Sequence, residues 1–255
     1  MRRSLLLRFG GGLALVLSAF PSAATAAAIT VAVAANFYRP MQEIAANFSR
    51  THHHSVRLVS GSTGRLYTQI VQGAPFDLFV AADVARPKRL ETEGQIRPGS
   101  RFTYATGSLV LWSARQNLNL KRQGMAILLA PTVRIIAIAN PKTAPYGAAA
   151  MQAITSVFKQ KQLDRITAKL IYGESVAQAM LFAHSGNADI AILPASSIVG
   201  AKGHIYRVGA GRYRPIIQQA VVLRGAGIAA VALADYLRSS AVVPVLQKYG
   251  YGVPQ

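Results

Sequence analysis

Ser60-Gly61-Ser62-Thr63-Gly64-Arg65-Leu66 lies between a strand-like apolar run, Val56 to Val59, and a segment in which Leu66 and Ile70 share one helical face. The stretch is therefore a strand-to-helix joint. Two glycines let the backbone approach a ligand, hydroxyls supply donors, and the first N–H groups of the following helix have no intrahelical partner. Such a joint suits an anion. Taken alone it is equally a helix cap, because small polar residues open many helices. Its meaning comes from the repetition of similar joints along the chain.

Upstream, Ile29 to Ala35 is an uninterrupted β-rich run, as in a strand buried on both faces, and it ends at Asn36. Pro40 suits a first helical turn, and Phe37, Met41, Ile44, Ala45 and Phe48 recur at helical spacing. Asn36 thus stands at a strand tip before a helix. His52-His53-His54 matches no metal-ligand spacing and reads as a solvated turn. Downstream, Pro75 to Asp83 gives a third buried strand ending in an acidic turn. Strands alternating with helices imply a parallel sheet, whose ligands bind beyond the strands' carboxyl ends.

After the strand Ser108 to Ser113 the pattern restarts. Val133 to Ala139 reads as a strand, followed by Asn140-Pro141-Lys142-Thr143-Ala144-Pro145-Tyr146-Gly147 and an alanine-rich helix to Phe158. Lys169 to Tyr172 is a short strand, after which Ser175 and Gln178 stand in capping-box relation and make Val176 the first helical residue. Ala188 to Leu193 and Ile205 to Val208 are later strands, and Arg214 to Leu223 is a long extended run that carries the chain back to the first domain. The expected fold is α/β: two doubly wound lobes, residues 27–107 plus 220–255 and residues 108–219, joined by two extended crossings around a cleft.

The N-terminus differs from the rest. Arg2, Arg3 and Arg8 flank the short apolar run Phe9 to Phe20, and Ala24-Thr25-Ala26 offers a small-residue cleavage site, so residues 1–26 read as a cleaved secretory signal peptide, by the general or the twin-arginine route. The absence of cysteine excludes disulfides, thiolate chemistry and a lipid on cysteine. A formal charge of +19, of which the leader supplies three arginines, is spread along the chain rather than gathered in a stripe with aromatics. Together with export, this argues against nucleic acid and for a field that draws in small anions.

Several motifs occur together in this order: Val33-Ala34-Ala35-Asn36-Phe37, the Ser60 to Gly64 loop, Gly73 to Asp77 with Ala81-Ala82-Asp83, Gly99 to Phe102, Pro145-Tyr146-Gly147, and Glu174-Ser175-Val176. The set resembles the periplasmic molybdate-binding proteins of ABC importers across essentially the whole mature chain. The resemblance implies a type II periplasmic-binding-protein fold that holds molybdate or tungstate by neutral hydrogen bonds. Its ligand contacts fall here on Ala35, Asn36, Ser62, Thr63, Tyr146 and Val176, with no protein ligand to the metal itself. The better-known branch of the family has serine at the position of Asn36 and a later tyrosine where Pro194 stands. This chain resembles the branch that uses Asn36 and Tyr146. The implied partners are a small oxyanion and a membrane permease; the protein is expected to be monomeric, periplasmic, free of cofactors and not an enzyme.

The chemistry of the joints agrees. A doubly charged tetrahedral oxyanion presents only acceptors, so its host must supply donors; Arg65 and Glu174 are expected to lie outside the direct contacts. Two alternatives stand beside this reading. One is a binder of sulfate or another oxyanion. The other is an exported serine hydrolase with Ser62 as nucleophile, although the motif lacks the first glycine of G-x-S-x-G, and His184 and His204 are isolated.

Overall fold

A computed structural model describes residues 28–254; the expected signal peptide lies outside the described residues. The first lobe opens with β1 (Ile29–Ala34), a 3₁₀ turn at Ala35–Phe37, α1 (Tyr38–His52), β2 (Val56–Gly61), α2 (Thr63–Val71), β3 (Leu78–Val80), α3 (Ala85–Thr92) and β4 (Phe102–Gly107). The second contains β5 (Leu109–Ser113), α4 (Leu120–Gln123), β6 (Ile136–Ala139), α5 (Pro145–Val157), α6 (Gln160–Thr167), β7 (Leu170–Gly173), α7 (Val176–His184), β8 (Ile190–Pro194) and β9 (His204–Arg207). The chain then returns through β10 (Ile216–Val222) and ends with α8 (Ile228–Arg238) and α9 (Val243–Lys248).

Two five-stranded sheets result, ordered β2-β1-β3-β10-β4 and β7-β6-β8-β5-β9. They share one pattern. Three parallel strands stand at one side, and an antiparallel strand, β10 or β5, follows them. The sheets are therefore mixed, where alternation of strands and helices implied parallel pairing. The difference arises at the crossings, because β5 and β10 each enter their sheet from the other lobe rather than through a helical crossover. Ile216 pairs with Gly107, so the two crossings run side by side. The expected lobe division at residues 219 and 220 falls inside β10, whose pairing with β4 already begins at Ile216.

Periodicity places the core. Met41, Ile44 and Phe48 on one face of α1 are buried against β1 and against Leu233 and Leu237 of α8. A second cluster joins Ile136, Ile138 and Ala150 of the second lobe to Ala34 and Ala82 of the first, so apolar packing continues across the junction. The His52–His54 turn serves structure: His53 takes a left-handed conformation (φ 57°) as the C-cap of α1, and His52 stacks on Phe48 at 4.3 Å. Among the described residues no group of three His, Cys, Asp or Glu is placed to hold a metal. No single described helix is long and apolar enough to cross a membrane.

Candidate functional site

Four joints meet where the lobes face one another. Each follows the carboxyl end of a parallel strand: the 3₁₀ turn after β1, α2 after β2, α5 after β6 and α7 after β7. They bound a small cavity. All six residues singled out in the sequence line it, Ala35, Asn36, Ser62, Thr63, Tyr146 and Val176, together with Gly61, Ala82, Ala144 and Pro145. No acidic or basic side chain is among them. Larger surface grooves exist, one around Ile96 and Arg224 far from the joints and one lined by Arg65, Gln69 and Asn140 outside the cavity mouth. Neither gathers donors at strand ends as the small cavity does.

The donors are largely unspent. The N–H groups of Ser62, Thr63, Tyr146 and Val176 have no hydrogen-bond partner among the described residues, as expected for the first turn of a helix. Ser62 is the N-cap of α2 by position, yet its hydroxyl makes no cap bond. Thr63 Oγ1 accepts from the Ala82 N–H at 3.1 Å, which leaves its own proton free. At α7 the capping is real: Ser175 Oγ accepts from the Gln178 N–H at 3.5 Å, while Gln178 Oε1 accepts from Glu174 rather than from Ser175. Three helix N-termini thus point their positive ends at one space, which favours a negative occupant.

Asn36 behaves differently from a simple strand-tip donor. Its Nδ2 donates to Gln218 Oε1 at 2.7 Å and to the Tyr251 hydroxyl at 2.9 Å, so both side-chain protons are engaged. Its carbonyl accepts from Ser196 Oγ at 3.0 Å and from Tyr251 at 2.8 Å. The Asn36 side chain therefore acts as a strut rather than as a free donor. Gln218, Tyr251, Tyr104 and Ser196 were not legible as site residues, because they lie on other elements far away in sequence. Burial pushes the Tyr104 and Tyr146 phenols well above the ordinary tyrosine range and Tyr251 up to about 12, so each keeps its proton at neutral pH.

Close approach is made possible by glycines. A Cβ on Gly107 would stand 2.8 Å from Tyr146 Cζ, with the hydroxyl closer still, and 2.9 Å from Gln218 Nε2. A Cβ on Gly64 would stand 2.9 Å from the Thr143 carbonyl, to which the Gly64 N–H donates at 2.8 Å across the cleft. Arg65 and Glu174 pair at 2.6 Å over the mouth, both largely exposed, so neither enters the cavity. Arg86, held by Asp83, reaches the Lys142 carbonyl at 3.3 Å. The cleft is closed.

A nucleophile reading finds no base. His184 stacks against Trp112 at 6.2 Å, and His204 contacts Gln116 at 3.2 Å; neither lines the cavity that holds Ser62. Without a partner to take its proton, a serine hydroxyl is a donor and not a nucleophile.

Two α/β lobes closing on a donor-lined, charge-free cavity define a solute-binding protein of the type II class. The chain belongs to the bacterial extracellular solute-binding protein family, whose description residues 29–252 match. It is 44% identical to the molybdate-binding protein ModA of Azotobacter vinelandii, over 91% of this chain and 92% of that protein. It is 41% identical to that of Rhodobacter capsulatus, over 94% and 93%. The solved A. vinelandii periplasmic molybdate-binding protein superposes with a TM-score of 0.83 at 37% identity, covering 89% of this chain and all of that one.

Proposed function

We propose that this protein captures molybdate, and tungstate with it, between its two lobes and delivers the anion to the membrane permease of an ABC importer. The observation that carries the reading is the lining of the cavity: helix starts and hydroxyls, with no carboxylate and no cation among them. In this reading Ser62, Thr63 and Tyr146 donate through their hydroxyls, and the turns at Ala35–Asn36, Ser62–Thr63 and Val176 donate through backbone N–H groups. Hydrogen bonds to a charged group contribute roughly 1.5–3 kcal/mol each. Several of them offset the desolvation of a dianion without a buried counter-charge. Phosphate, which carries a proton near neutrality, gains nothing from a site that offers only donors. Kinship to two molybdate-binding proteins supports the choice of anion over others of the same charge.

The protein acts as a carrier and not as an enzyme. It works in the periplasm as a monomer, without a cofactor, a nucleic-acid partner or a lipid anchor. The test is calorimetric titration of the mature protein with molybdate, tungstate, sulfate and phosphate at equal ionic strength. Saturable one-to-one binding of molybdate and tungstate, weakened by Tyr146→Phe, is expected. Absence of heat with every oxyanion defeats the reading, and tighter binding of sulfate than of molybdate replaces the anion.

A further inference from the structure

Gln218 is fully buried on β10 and lies behind the cavity rather than in its lining. Its carboxamide is bonded on both ends. Oε1 accepts from Asn36 Nδ2 at 2.7 Å and faces the Tyr104 hydroxyl at 3.0 Å, while Nε2 donates to Tyr146 Oη at 3.2 Å. An amide nitrogen has no lone pair to offer, so at this bond Tyr146 can only accept, and its own proton must go elsewhere. The neighbouring Tyr251 hydroxyl, bonded to Asn36 and Ser196, is the acceptor open to that proton within the protein. An anion in the cavity is a charged and therefore stronger acceptor than this hydroxyl and draws the proton to itself. Were the Asn36 and Gln218 amides both reversed, Tyr146 would donate to Gln218 and present a lone pair to an anion, which repels it.

We propose that Gln218 is a positioning residue for oxyanion capture: by donating to Tyr146 it aims the phenol proton at the anion, and by accepting from Asn36 it ties the first-lobe and second-lobe halves of the site to one side chain. The inference rests on the anion reading above and adds to it a residue that touches no ligand.

Gln218→Glu tests the direction of the proton. An ionised carboxylate at 218 only accepts, so it draws the Tyr146 proton away from the cavity; a protonated one restores the donor–acceptor pattern of the amide. Burial raises the pKa of such a carboxyl into the accessible range. The groups facing position 218 are the phenols of Tyr104, Tyr146 and Tyr251, with Tyr213 and the Arg86-paired Asp83 further out. The three buried phenols do not titrate between about pH 6 and pH 8. Molybdate affinity of the wild type should therefore be flat over that window. In Gln218→Glu it should be weaker by about tenfold or more at the alkaline end and recover on acidification. Gln218→Met, which lacks the donor at any pH, should weaken binding about tenfold in the Tyr146 protein and less than about twofold in Tyr146→Phe.

Unfolding curves of the ligand-free variants show which are folded; if the glutamate variant is not, the methionine cycle decides. A pH-independent affinity in a folded Gln218→Glu protein, or an equal loss from Gln218→Met in both tyrosine backgrounds, overturns the positioning role while leaving anion capture intact. A wild type that binds no oxyanion overturns both.

Discussion

Gly107→Ala is the smallest change that should empty the Tyr146 position. The added methyl would lie 2.8 Å from Tyr146 Cζ and 2.9 Å from Gln218 Nε2, whereas non-bonded carbon contacts settle near about 3.5 Å. The ring must retreat, and its hydroxyl, which the methyl overlaps directly, must move by more than about 1 Å; a hydroxyl hydrogen bond holds only at about 2.5–3.0 Å. One bond to a charged group is lost, roughly 1.5–3 kcal/mol, or about a tenfold to hundredfold weaker dissociation constant. Tyr146→Phe should lose a similar amount, and the double variant should lose much less than the sum, because the methyl removes what the phenylalanine already lacks. Calorimetric titration with molybdate on all four proteins measures the cycle, with thermal unfolding of the ligand-free forms alongside. Wild-type affinity in a folded Gly107→Ala protein would refute the placement of Tyr146 in the site. Additive losses would show that Gly107 acts on closure and not through the hydroxyl.

Other expectations follow from the same geometry. Val176→Pro removes one backbone donor at a first helical position that tolerates proline, after a Ser175 already extended (φ −144°, ψ 170°); affinity should fall about tenfold or more with little change in ligand-free melting temperature. Arg65→Ala breaks an exposed pair, so affinity should change by less than about fivefold and the small effect should vanish at high salt. Asp189 is different: burial would raise its pKa, but the N–H groups of Ile135 and Arg134 and the Arg115 guanidinium outweigh burial and hold it below the ordinary value. Its stabilisation is present above the unfolded aspartate pKa of about 3.9 and is lost as pH falls through the lower folded value. Asp189→Asn should lower the melting temperature at neutral pH and flatten its decline in acid; an unchanged acid limb would count against the assignment.

Local pattern carried most of the architecture. The strand tips and helix starts at Asn36, Thr63, Tyr146 and Val176 were legible because a change of hydrophobic period from two to 3.6 marks each joint, and those joints are where the cavity forms. The strand expected at Val133 to Ala139 begins only at Ile136, since the N–H groups of Arg134 and Ile135 are taken by the Asp189 carboxylate instead of a ladder. β4 left no clear signal, as Phe102-Thr-Tyr-Ala-Thr-Gly107 alternates without strong apolar character and is fixed by pairing with β10. The role of the Asn36 side chain was not legible either. Its partners Gln218 and Tyr251 stand 182 and 215 residues away, a distance over which sequence spacing carries no geometric information. The extended run read at Arg214 to Leu223 contains β10, whose onset follows Pro215, the one break before an unpunctuated stretch.

The bond from the Gly64 N–H to the Thr143 carbonyl joins the lobes without passing through a bound anion. Any such bond favours the shut conformer whether the cavity is filled or vacant, so it lowers the free energy the anion must supply and, in equal measure, raises the share of empty molecules that are shut. For a transporter that recognises shut carriers, vacant ones are competitors. The strength of this one peptide-to-peptide contact therefore sets a balance between holding a scarce anion tightly and reporting truthfully that it is there, and lengthening it, as Gly64→Ala must, should shift the carrier toward looser capture and fewer false reports.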